Sequence, residues 1–181
     1  MSKKVFDEYL NDLINSLRDI DFESVEEVVN IFRNKIKNKN NIFLIGNGGS
    51  SATPSHSAGD FSKELGARTI CLTDNIPSVT AWGNDTSYSN IFKGQLEAFL
   101  SEDDLVVGYS GSGNSENVLK AMSFAQEMGA KTIGITGNYM NKGTGKIANY
   151  SDTLVFFNTE SMERIEDLQL IFNHIVKESL K

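Results

Sequence analysis

An α/β fold is predicted: a three-layer α-β-α sandwich around a five-stranded parallel sheet, preceded by N-terminal helices. Three observations predict it. Five short apolar runs, at 42–45, 70–73, 105–109, 132–136 and 153–157, are rich in Val, Ile, Leu and Phe. Helical or turn-rich segments separate them, as a parallel sheet covered on both faces requires. The segments after the first and third runs echo each other, "IGNGGSS" and "YSGSGNSEN".

The elements follow in order. Residues 1–37 carry two helical patterns. Val5, Phe6, Leu10, Leu13, Ile14 and Leu17 form the first, and Val25, Val28, Val29, Ile31, Phe32 and Ile36 the second. The polar break "KNKNN" ends them. The α/β core is expected over 41–160 and a C-terminal helix over 161–181. Ile165, Leu168, Leu170, Ile171, Ile175, Val176 and Leu180 lie on a helical stripe there. The length, 181 residues, suits one domain.

Composition narrows the function. The formal net charge is −7, which argues against nonspecific nucleic-acid binding. A single cysteine, Cys71, excludes a disulfide framework or Cys-rich zinc module, and its apolar setting reads as a buried strand position. The N-terminus has no signal-peptide core, and no apolar run approaches the roughly 20 residues that span a bilayer. The expectation is a cytoplasmic protein with no membrane partner.

Both glycine-serine turns follow strands, at the edge where parallel α/β sheets bind ligands. Glycine lets the backbone approach a ligand, and the following helix offers free N–H groups and its dipole to an anion. Neither loop is a nucleotide P-loop, and neither fully matches the dinucleotide pattern. A small phosphorylated molecule therefore fits better than a nucleotide cofactor. The bland alternative is a pair of tight turns with serine caps. Two loops at matching positions, one dense in hydroxyls, favour phosphate.

"GNGGSS", "SHSAGDF", "WGNDTSYSNIF", "GYSGSGNSENVLKA" and "TIGITG" together resemble the sugar isomerase (SIS) domain family, within it the phosphoheptose isomerases. The resemblance spans nearly the whole chain. It implies aldose–ketose isomerisation of a sugar phosphate, sedoheptulose 7-phosphate in this branch, feeding heptose into lipopolysaccharide, capsule or another surface glycan. It also implies a homotetramer with interfacial active sites. Carried over by motif, Ser110, Gly111, Ser112 and Ser115 would hold the phosphate. Asn47, Gly48 and Ser50 would line the sugar site, with Asp85 near the sugar hydroxyls. Asp60 and His174 match the branch's catalytic glutamate and histidine. Asp60 departs from the pattern, its carboxylate about 1.5 Å further back along the chain.

Some members of the branch bind zinc, and their ligands match His56, Asp60, Glu166 and His174, with Glu166 in place of a glutamine. Two histidines and two carboxylates form a credible zinc set. However, Glu166 and His174 are eight residues apart, about 12 Å on an ideal helix, so convergence needs a long reach or a non-helical start at Glu166. SIS domains also serve as phosphosugar sensors, and a relative of this branch binds the replication initiator DnaA without needing catalysis. The His174–carboxylate pair separates the enzyme from a scaffold, which has no chemical need of it. Isomerisation of a different sugar phosphate stays open. Glu163 and Arg164 read as a solvated helix face, Trp82 as packing, 83–90 as a cap near the site, and 138–146 as a surface loop with no catalytic role for Lys142.

Overall fold

The computed structural model describes residues 2–181. Helices α1 (Lys3–Arg18) and α2 (Phe22–Lys37) come first. Their N-caps are Ser2 and Asp21, whose side chains accept from the amides of Val5 and Ser24. Strand β1 (Asn41–Gly46), α3 (Gly49–Leu65), β2 (Arg68–Cys71), α4 (Ile76–Asp85) and α5 (Lys93–Phe99) follow. Next are β3 (Leu105–Ser110), α6 (Glu116–Glu127), β4 (Lys131–Gly137), β5 (Thr153–Phe157) and α7 (Met162–Ser179). No helix among these residues is long and apolar enough to cross a membrane.

The five strands form one parallel sheet in the order β2-β1-β3-β4-β5. Alternation along β1 builds a core on each face. Ile42 and Leu44 pack with Val28 and Phe32 of α2, Phe61 of α3, and Leu168 and Phe172 of α7. Phe43 and Ile45 pack on the other side with Leu96 of α5 and Val118, Ala121 and Met122 of α6. This is the expected three-layer sandwich, with the N-terminal helices where the periodicity puts them. Cys71 is buried at the end of β2, and burial pushes its thiol up.

Three boundaries differ from expectation. Strand β2 starts two residues early, at Arg68. It is an edge strand, so pairing of Arg68 and Thr69 with Asn41 and Ile42 does not require apolar side chains there. Helix α3 starts at Gly49, not at a cap on Thr53, which is buried inside it. Pro54 has no N–H for the Ser50 carbonyl, and that oxygen instead lies over Gly46, where a Cβ would collide with it. The 83–90 segment is the end of α4 followed by a single turn, Tyr88–Asn90. Trp82 packs flat over Gly94, as a structural residue should.

Candidate active site

A cleft of about 250 Å³ opens beyond the carboxyl ends of β1 and β3. Asn47, Gly48, Ser50, Ser110, Gly111, Ser112 and Ser115 line it, together with Tyr109, Met162 and Glu166. Both glycine-serine turns thus meet in one cavity. Ser115 occupies the N-cap of α6 but makes no capping bond to it. Its hydroxyl pairs with that of Ser110 at 3.0 Å instead. The Val118 amide donates to Asn117 Oδ1 at 3.0 Å, while no protein acceptor among the described residues takes those of Glu116 and Asn117, and free amides at a helix start can bind phosphate. Gly113 has φ of +63° and lies so close to the Thr144 carbonyl that no side chain fits.

Asn47 is held by a reciprocal amide pair with Asn117, at 2.9 and 2.8 Å, and accepts from the Tyr88 hydroxyl at 3.0 Å. Neither Asn117 nor Tyr88 carried a signal in the sequence beyond a polar helix start and an aromatic in a loop. Asp85 does not join the cavity in a single chain. It lies exposed at the end of α4, and its carboxylate accepts from Asn84.

The imidazole and carboxylate candidates form a second cluster further along α3 and α7. His56 and His174 each point Nε2 at the same oxygen, Asp60 Oδ2, at 3.6 and 3.9 Å. Their rings meet edge to face with centroids 5.7 Å apart. His56 and Asp60 are one turn apart on α3, and His174 reaches them because α3 and α7 pack together. A buried chain of bonds fixes that packing. The Tyr109 hydroxyl donates to Asn173, and the Asn173 amide donates to the Ser57 hydroxyl, at 2.9 and 2.8 Å. Ser57 in turn donates to the Thr53 carbonyl. Asn173 and Ser57 are the chain neighbours of His174 and His56.

His56, Asp60 and His174 are close enough for one ion to be shared. The expected fourth ligand is elsewhere. Glu166 lies inside the regular helix α7, two turns from His174, and its carboxylate covers Gly49 at the start of α3, where a Cβ would collide with it. Burial, with Glu163 and Asp167 nearby, raises its pKa. The four-ligand set therefore does not converge. A further residue, unanticipated, occupies Asp60: Lys177 Nζ donates to Asp60 Oδ2 at 2.8 Å and to Glu64 at 3.2 Å. That ammonium is the main reason the Asp60 carboxyl sits below the usual range. Lys177 thus holds the Asp60 oxygen that both histidines face, and with Glu166 turned away the residues present do not assemble the family's four-ligand zinc set.

Glu163 and Arg164 are structural. Arg164 stacks on the Tyr9 ring and pairs with Asp12, tying α1 to α7, while Glu163 accepts from Ser161.

The sequence profile of the SIS domain family matches residues 6–137. A phosphoheptose isomerase of Aliarcobacter butzleri (strain RM4018) is 36% identical over 159 residues, 85% of this chain and 82% of that protein. One of Clostridium acetobutylicum is 37% identical over 159 residues, 85% of this chain and 79% of that protein. Among solved structures, phosphoheptose isomerase GmhA from Neisseria gonorrhoeae superposes with a TM-score of 0.89 at 27% identity. The match covers 98% of this chain and 96% of that one.

Proposed function

The chain belongs to the SIS domain family, and from that premise we propose that it is a phosphosugar aldose–ketose isomerase converting sedoheptulose 7-phosphate and a heptose 7-phosphate. The observation that carries this is one helix pair with two ends. The anion cleft sits where α3 begins, and a carboxylate–imidazole cluster sits further along α3 and α7. Ser50 and Asp60 are separated by roughly 15 Å of helix. A seven-carbon sugar carries its phosphate and its carbonyl at opposite ends, so the groups that hold the phosphate and those that move protons can be separate.

Ser110, Ser112 and Ser115 hold the phosphate with the first amides of α6, and Gly111 lets the loop close on it. Asn47, Gly48 and Ser50 face the sugar. Asp60 and His174 share the proton transfers. A C1 proton of the ketose leaves, its electron pair forms the C1–C2 double bond, and the C2 oxygen takes a proton. The resulting enediol then loses the O1 proton as the C1 carbonyl forms, and C2 receives a proton. The product is an isomer, with no proton gained or lost. An ionised carboxylate and an imidazole suit this exchange near neutral pH.

The working enzyme is a homotetramer with its sites at subunit interfaces. Two features support this. The side chains of His56 and His174 are 55% and 44% exposed, too open to exclude water from an enediol. Phe6, Leu10 and Ile14, one turn apart on α1, are exposed apolar side chains. The chain is a single SIS domain acting in the cytoplasm on a heptose destined for a surface glycan.

Asp60→Asn and His174→Ala are each expected to lower kcat at least a hundredfold, while binding of the sugar phosphate changes less than threefold. Near-normal turnover in both variants would remove the proton-transfer assignment.

A further inference from the structure

We propose that Lys177 is a positioning residue whose ammonium takes the place of a divalent cation at Asp60, so that this chain isomerises its substrate without a metal. The inference rests on the isomerase reading and extends it to the cation at the site. Four groups face Asp60. His56 and His174 approach Oδ2 at 3.6 and 3.9 Å, Lys177 donates to the same oxygen at 2.8 Å, and Glu64 shares the ammonium at 3.2 Å.

The lysine is built into the helix pair. Asp60 and Glu64 are four apart on α3, and Lys177 and Lys181 are four apart on α7. They meet as two matched pairs, Lys177 with Asp60 and Glu64, and Lys181 with Glu64 at 2.8 Å. The side chain of Lys177 is 12% exposed, so its ammonium is held in the helix crossing, not spread into solvent. A zinc ion on Asp60 Oδ2 would sit about 2.0–2.2 Å from that oxygen, and so within about 5 Å of Nζ. Two cations this close on one carboxylate repel, so the ammonium weakens the hold on a metal.

The short carboxylate fits the same arrangement. A glutamate at position 60 would carry its oxygens further from α3. Aspartate keeps them back, where Lys177 bonds them. Glu166, the remaining carboxylate of the would-be zinc set, is turned away onto Gly49. The charge compensation of a metal and its orienting role are thus both supplied from within the chain.

The test compares the full-length chain with Lys177→Met, Lys177→Gln and Lys177→Arg, each shown to be folded by circular dichroism. Zinc affinity is measured by competition with a chromophoric chelator. Lys177→Met and Lys177→Gln should bind zinc at least tenfold more tightly than the parent, and Lys177→Arg should not. Equal affinities in parent and Lys177→Met, whether both tight or both weak, would overturn the proposal. With EDTA present the parent should keep its full turnover. Lys177→Met should lose at least 30-fold in kcat with KM within threefold, and Lys177→Arg should recover part of the loss. Loss of parent turnover in EDTA, or unchanged kcat in Lys177→Met, would also overturn it. If the parent turns over no sugar phosphate at all, the isomerase reading fails, and the zinc comparison still decides the question of Lys177.

Discussion

Glu166 is a part-buried carboxylate set against Gly49 at the start of α3. Burial, with Glu163 and Asp167 nearby, raises its pKa. A group raised in the folded state stabilises the fold below its unfolded pKa of about 4.3 and loses that contribution as pH rises through the folded value. Glu166→Gln should therefore raise Tm at pH 7, where the parent carries a part-buried charge that the amide lacks. The gain should vanish below about pH 4. An unchanged Tm at pH 7 in a thermal scan would contradict this. At this scale much of the site was legible: Asn47, Gly48, Ser50 and the serines of 110–115 meet in one cleft, and His56, Asp60 and His174 gather. Lys177 was not legible. A lysine on an amphipathic helix reads as solvent-facing, and only the crossing of α3 and α7 brings it onto Asp60.

At the scale of elements, every expected strand is present, because unbroken apolar runs in a parallel sheet leave little freedom of register. Edges were harder. Strand β2 includes exposed Arg68 and Ile70, and α4 buries no side chain fully, so neither shows a clean period. Convergence of Glu166 on the histidines needed a long reach or a break at the start of α7; the helix runs through, and the carboxylate turns to Gly49. Helix α1 carries a consequence for assembly. It faces α7 with Tyr9, Asp12 and Leu13 and leaves Phe6, Leu10 and Ile14 outward. Leu10→Glu should cost the single chain less than about 0.5 kcal/mol, as exposed substitutions do. It should shift sedimentation velocity from the proposed tetramer to smaller species and lower turnover at least tenfold. A tetramer of unchanged stability would mean that α1 is not the interface.

For the whole molecule, the parallel sheet fixes where both loops end, and the α3–α7 pair carries the acid–base cluster away from the phosphate end. On the proposed reading, the chain holds a long sugar phosphate at one end and moves protons at the other. The most direct measurement is NMR of sedoheptulose 7-phosphate incubated with the protein in D₂O containing EDTA. The expected result is growth of the heptose 7-phosphate aldose with deuterium entering the carbon-bound positions at C1 and C2. Saturable binding of the sugar phosphate, with neither aldose nor carbon-bound deuterium, would contradict the account and leave a phosphosugar-binding protein in place of the isomerase.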